Sequence, residues 1–212
     1  MNQAAHFLQE VAEGLQATTP IEYIAVTAGI ISVWLERAEK IWLYPIGLIN
    51  TVLYVYLSFK GHLFGEASVN VFYTIISIYG WILWSKKNRQ AAPVLKITFS
   101  SGKEWIGQLL FLGGCYAVLF AGLTWLKQAF APGAIPWADA FAAAAAYTGM
   151  WLMARKKLES WYWWIGTNLA SIPLYYVKGY AFTSIQFLVF FIMSILGLLA
   201  WQHKAREHRQ IR

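Results

Sequence analysis

The side chains spaced for chemistry in this sequence are indoles, phenols and carboxamides rather than acids, bases or nucleophiles. In Glu159-Ser160-Trp161-Tyr162-Trp163-Trp164-Ile165-Gly166-Thr167-Asn168, residues Trp161, Trp164 and Asn168 stand at i, i+3 and i+7, the spacing of one helical face. An indole face holds a flat heterocycle by stacking and a cationic one by cation–π attraction, worth about 2 kcal/mol when desolvated. An amide on the same face reads hydroxyl or carboxamide edges. Asn70, Tyr73, Thr74 and Ser77 make a second polar stripe at i, i+3, i+4 and i+7. Adding Asn50, Gln186 and Tyr147 gives a candidate pocket for a small aromatic molecule with polar substituents, neutral or cationic. The competing reading is that these amides and hydroxyls tie helices to one another, as they do in membrane bundles. Trp163 and Trp201 read as interfacial belt residues.

Other chemistries are excluded by what is missing. The lone Cys115 lies inside an apolar run, which rules out a disulfide framework and a cysteine metal site. The histidines, at 6, 62, 203 and 208, fall in tails or loops, and no HExxH, GxxxxGK[ST] or GxGxxG pattern occurs. No cofactor, no metal and no ATP hydrolysis are expected.

The elements that must position the pocket are transmembrane helices. Of the residues, 58% are hydrophobic and 13% charged, against about 45 to 50% and about 25% in a soluble domain. A soluble chain could not hide 12 Trp, 12 Tyr and 13 Phe behind so little charge. The expected spans are Ile21–Leu35, Ile41–Phe59, Val69–Trp84, Trp105–Leu126, Trp137–Met153, Trp161–Val177 and Phe182–Trp201. Residues 1–20, with Phe7, Leu8, Val11 and Leu15 on one face, read as an amphipathic lead at the interface. Of the 17 Lys and Arg, only Lys60, Lys127 and Lys178 fall on one side of the membrane. By the positive-inside rule the N-terminus is outside and the C-terminus cytoplasmic. The formal charge of +7 thus reflects topology, not nucleic-acid binding. In the long basic loop after the third span, Leu95, Ile97 and Phe99 alternate with polar residues and suggest a short hairpin.

The chain also repeats itself. A shift of 117 or 118 residues lays Trp34-Leu35 on Trp151-Leu152, Asn50 on Asn168, Lys60-Gly61 on Lys178-Gly179, and Ser77-Ile78, Gly80 and Trp84 on Ser194-Ile195, Gly197 and Trp201. The expected architecture is an all-α integral membrane fold of seven transmembrane helices in a 3+1+3 layout. The second unit begins after an even number of crossings, so the two three-helix repeats run parallel, in the manner of the SWEET sugar carriers. The segments are 1–20 lead, 21–84 repeat 1, 85–130 basic loop and linker span, 131–202 repeat 2 and 203–212 basic tail. Paired repeats commonly enclose a solute site near the bilayer midplane.

No Asp, Glu, Lys, Arg or His lies inside a span; Glu22, Lys127 and Asp139 sit at span ends. Ion-coupled carriers and lipid-active enzymes rely on such groups, so the expectation is a non-enzyme that passes its solute without ion coupling. A ligand sensor that passes nothing is the alternative of a different class.

On these residues the chain resembles the PnuC family of bacterial vitamin transporters, in its nicotinamide riboside branch. The resemblance runs from about Ile21 to His203. It rests on the WxxW element Trp161-Tyr162-Trp163-Trp164, the following Asn168, the ending Ser77-Ile78-Tyr79-Gly80-Trp81-Ile82-Leu83-Trp84, and the three-one-three layout. It implies a homotrimer in the bacterial inner membrane that admits nicotinamide riboside by facilitated diffusion. A cytoplasmic nicotinamide riboside kinase would then trap the vitamin. The carry-over is direct for Trp161, Trp164 and Asn168; Asn50, Asn70, Tyr73, Gln186 and Tyr147 follow from facing geometry. Relatives that move thiamine or riboflavin keep the choice of vitamin open.

Overall fold

A computed structural model describes residues 9, 11–16, 19–60, 64–90, 92–129 and 135–210. After a helical stretch over residues 11–16, helices follow in the order α1 (Pro20–Arg37), α2 (Leu43–Lys60), α3 (Phe64–Ser85), α4 (Gly102–Ala129), α5 (Pro136–Ala154), α6 (Ser160–Val177) and α7 (Ala181–Gln210). Phe7 and Leu8 of the expected lead lie outside the described residues; Leu15 does not, and its carbonyl accepts a hydrogen bond from the Tyr23 hydroxyl at 2.6 Å.

Local chemistry explains the helix ends. Thr19 caps α1 in a capping box, its hydroxyl accepting from Glu22 N while Thr19 N donates to the Glu22 carboxylate at 2.6 Å, and Pro20 follows as the first helical residue. Pro136 opens α5 in the same way, with Asp139 accepting from Ile135 N at 2.8 Å. Gly179, at φ 81°, ends α6 in the left-handed conformation that glycine adopts without a Cβ clash.

Among the described residues, three stretches are long and apolar enough to cross a membrane by length and composition: Ala67–Ser85, Gly102–Lys127 and Ala181–Glu207. The remaining helices α1, α2, α5 and α6 run 18 or 19 residues, about 27 Å at 1.5 Å per residue. The last helix extends well past the expected end at Trp201. The stretch expected to be a basic tail is helical through Gln210, because nothing in Gln202-His203-Lys204-Ala205-Arg206-Glu207 breaks a helix, and His203 pairs with Glu207 one turn on.

Neighbouring helices pack in sequence from α1 to α3 and from α4 to α7, and the two sets meet through α3 against α5 and α1 against α7. The contact is reciprocal between α1–α3 and α5–α7, since the third helix of each trio lies on the first of the other. Ala138, Ala140, Ala142, Ala144, Ala145 and Ala146 are buried on α5, and their small side chains let three neighbours approach. By contrast, Gln108 alone is buried among the described side chains of α4.

The core sits at the basic end of the bundle, in a cluster of Leu43, Tyr44, Trp84, Ile97, Met153, Leu158, Trp161, Trp201 and Ala205. Trp201 is 0% exposed, so it is a core residue and not the belt residue its position suggested. Trp163 also turns inward, donating from Nε1 to Gln108 at 3.1 Å. Within the cluster one motif occurs twice at the same sequence separation. Tyr44 meets Trp84 edge to face at 5.3 Å and 88°, and Trp161 meets Trp201 at 5.6 Å and 87°. Each pair then reaches across to the other set, Trp84 Nε1 donating to Ala154 O and Trp201 Nε1 to Glu36 O, both at 3.2 Å.

The loop after α3 differs from expectation in its pairing. Leu95, Ile97 and Phe99 do turn inward together onto the core, but their strand-like run pairs with the α5–α6 connection, Thr98 N donating to Lys156 O and Leu158 N to Thr98 O. The hairpin-like turn lies earlier, where Lys87 bridges Pro93 and the Asn88 side chain accepts from Gln90 N and Ala92 N.

Candidate functional site

The aromatic residues expected to form a pocket come together from three helices. Tyr73 on α3 lies 6.2 Å from Trp164 on α6 and 6.3 Å, edge to face, from Tyr147 on α5; Phe72 stacks obliquely on Tyr147 at 4.2 Å. Trp164 packs on its other side against the core cluster. Its Nε1 is buried without a hydrogen-bond partner. Leaving a buried donor unmade costs about 1 to 3 kcal/mol, so an acceptor brought to this place by a solute would recover that cost.

The amides are held by neighbouring helices. Asn168 is buried, donating to the Ser194 hydroxyl on α7 at 3.0 Å, and Ser194 donates onward to Phe190 O at 2.8 Å. Asn50 donates to Ala25 O on α1 at 2.7 Å. Both therefore link helices, as the competing reading had it. The stripe on α3 does the same: the Thr74 hydroxyl lies 2.8 Å from Asn70 O and 3.0 Å from the Thr51 hydroxyl on α2. Gln186 on α7 is half-buried.

Trp161 goes elsewhere. It is fully buried against Trp201, and a Cβ at Gly197 would collide with its ring. Its own Nε1 has no partner. Tyr44, a residue the sequence pattern did not single out, holds the matching place in the first three helices: a Cβ at Gly80 would collide with its hydroxyl, and that hydroxyl is buried and unpartnered. The 117-residue shift carries Tyr44 onto Trp161, which is the signal that would have found it.

A polar chain fixes the start of α6. Glu159 accepts from Ser100 N at 2.8 Å and from the Ser100 hydroxyl at 2.6 Å; Gln108 Nε2 donates to that hydroxyl at 2.8 Å and takes the Trp163 bond on its oxygen. Beside it Lys157 pairs with Glu104 at 2.7 Å, and Ser101 N donates to the same carboxylate at 2.7 Å. The cavity there, about 180 Å³ and lined by Glu104, Trp151, Arg155 and Lys157, contains none of the expected pocket residues. At the opposite end Lys178 pairs with Asp139 at 2.5 Å. Among the described residues there is no group of three His, Cys, Asp or Glu placed to hold a metal ion.

Residues 19–203 match the sequence profile of a family described as nicotinamide mononucleotide transporters. The nicotinamide riboside transporter PnuC of Escherichia coli is 27% identical over 207 residues, spanning 88% of this chain and 87% of that protein. The riboflavin/roseoflavin transporter RibM of Streptomyces davaonensis is 25% identical over 180 residues, 84% of this chain and 83% of its own length. A crystal structure of the vitamin B3 transporter PnuC shares the fold, with a TM-score of 0.72 at 21% identity, covering 97% of this chain and 92% of the other.

Proposed function

Since the chain belongs to the nicotinamide mononucleotide transporter family, whose relatives here are membrane transporters and not enzymes, we propose that it carries nicotinamide riboside across the bacterial inner membrane by facilitated diffusion. The observation that carries this reading is the half-buried Trp164 indole beside Tyr73, Tyr147 and Phe72, with its Nε1 buried and unpartnered. The ring faces suit a pyridinium, and the Trp164 N–H suits a carboxamide oxygen. Asn168 and Asn50 would exchange part of their links to Ser194 and Ala25 for the carboxamide and ribose hydroxyls. Asn70 and Gln186 are the further polar contacts of this reading, and Trp161 supports Trp164 from the core. The riboside is favoured over the mononucleotide because a phosphate calls for an Arg or Lys clamp, and the spans hold neither. A membrane potential negative inside would drive the cation inward by about 2.3 kcal/mol per 100 mV, and a cytoplasmic kinase would hold it there.

The architecture that goes with this reading is the 3+1+3 layout. α1–α3 and α5–α7 form parallel repeats, α4 links them, the basic end faces the cytoplasm, and three copies assemble as a homotrimer. The reciprocal packing of α3 on α5 and α1 on α7 supports it. Riboflavin is the second reading, favoured by the likeness to RibM.

Calorimetric titration with nicotinamide riboside, riboflavin and thiamine separates these solutes. Trp164→Ala and Asn168→Ala are each expected to weaken nicotinamide riboside binding at least tenfold, about 1.4 kcal/mol, with the oligomer intact. Unchanged affinity in both variants would remove the site. Uptake into proteoliposomes with sodium and proton gradients collapsed and the electrical potential maintained is expected to persist; its loss would exclude facilitated diffusion, and binding without any uptake would make the protein a sensor.

A further inference from the structure

Among the described residues, two other than glycine hold the left-handed backbone conformation, Glu39 at φ 60° and Lys156 at φ 53°, and they end α1 and α5 with the same pair of bonds. In the first turn Glu39 N bonds Glu36 O and Lys40 N bonds Leu35 O; in the second Lys156 N bonds Met153 O and Lys157 N bonds Leu152 O. Both are Schellman turns at whose left-handed position glycine is the usual occupant, so each keeps a charged side chain where the backbone would favour none.

Glu39 and Lys156 are 117 residues apart, and their side chains meet, Nζ to Oε1, at 2.6 Å. Equivalent points of two related halves can touch only near the axis that relates them, so this ion pair lies there. Lys204 on α7 takes the other carboxylate oxygen at 3.1 Å. Lys156 Nζ also stands 4.3 Å from the Trp84 ring centroid. Beneath the ions, the Trp84 and Trp201 rings face each other across the halves at 6.1 Å, each bonded to a carbonyl near the end of the opposite first helix. Drawing Glu39 away from Lys156 therefore draws both indole bonds apart as well. At the other end of the bundle the Asp139–Lys178 pair stays within the last three helices. Among the described residues, the ion pairs that cross between the halves are at the basic end.

We propose that Glu39, Lys156 and Lys204 form a bolt that shuts the basic end of the passage between the halves, and that each transport cycle breaks and remakes it. The inference rests on the carrier reading but not on the identity of the solute. Glu39 and Lys204 are 20% and 38% exposed at their side chains, whereas Lys156 is 5% exposed. Water can therefore take over the acid and one base when the bolt opens, which a wholly enclosed pair would resist.

The test places one thiol above the bolt. In a Cys115→Ser background, Ser77→Cys puts a sulfhydryl at a buried site one turn before Gly80 on α3. Its reaction with a membrane-impermeant maleimide is followed in vesicles that expose the basic end. Glu39→Gln and Lys156→Gln are each expected to raise the labelling rate roughly tenfold, with gel filtration unchanged. The double reversal Glu39→Lys with Lys156→Glu should label more slowly than either reversal alone. Parental labelling rates in both neutral variants, or a double reversal as reactive as its singles, would overturn the bolt. Nicotinamide riboside uptake is measured in parallel: parental protein that takes up none while labelling still responds to Glu39→Gln refutes the solute and upholds the bolt.

Discussion

Where α3 crosses α2, Gly80 lies under the edge of the Tyr44 phenol; where α7 crosses α6, Gly197 lies under the Trp161 indole. The two halves thus share a backbone approach and an edge-to-face ring pair but differ in the ring that fills the gap. The difference grows toward the candidate pocket. The 117-residue shift that pairs Tyr44 with Trp161 places Gly47 against Trp164, and a Cβ at Gly47 would already meet the Ser32 hydroxyl at 2.9 Å. One half presents an indole where the other has only backbone. The matching ring pairs lie at the basic end, and the match is lost toward the candidate pocket.

The hardest blow to this comparison should come from the glycines. Gly197→Ala forces a methyl group into a fully buried indole, and is expected to destabilise by about 2 to 3 kcal/mol, read as a lowered melting temperature in detergent. Both rings meet the intruder with an edge, and Gly80→Ala should cost less because the phenol that must give way is smaller than the indole. Gly166→Ala, with open space around it, should be neutral or stabilising by up to about 1 kcal/mol. Equal losses at Gly80 and Gly197 would mean the two halves are packed alike after all.

A smaller effect tests the symmetry that remains. Trp84→Phe and Trp201→Phe each delete one indole N–H bond to a carbonyl of the opposite half, and matched losses of about 1 to 2 kcal/mol are expected. Losses that differ by more than twofold would make one crossing bond the true tie.

Acid should act more gently, and part of its effect should run through the bolt. Burial works to raise the Glu39 carboxyl, but hydrogen bonds and charge from Lys156 and Lys204 outweigh it and hold it below the ordinary 4.5. A carboxyl lowered on folding stabilises fully above its unfolded value and loses that contribution as pH falls through its folded one. Melting temperature should therefore fall below about pH 4.5 more steeply in the parent than in Glu39→Gln. Parallel curves would deny Glu39 that role.

Much of this was legible in residue patterns. The apolar spans between charged connections located α1 to α6 to within a few residues, because lipid allows little besides a helix. The repeat foretold that Trp84 and Trp201, and Gly80 and Gly197, would occupy matching places. The end of α7 was not legible, since charge stops a span without stopping a helix. Trp201 was misread as a belt residue because position in a span does not say which face a neighbour covers. Within the candidate site, Tyr73, Tyr147 and Trp164 converge as spacing suggested. Asn50 and Asn168 instead spend their amide hydrogens on adjacent helices, a choice made by tertiary contacts that periodicity cannot register.

The exposed α4 has a mechanical consequence. It packs chiefly on α5, and the loop before it is pinned to the start of α6 through Ser100 and Glu159. Any rocking between the two sets would carry this helix with the second one, so the moving bodies would be unequal, three helices against four. With α4 anchored in lipid or against a sister subunit, the heavier body would serve as stator and α1–α3 as the rotor arm.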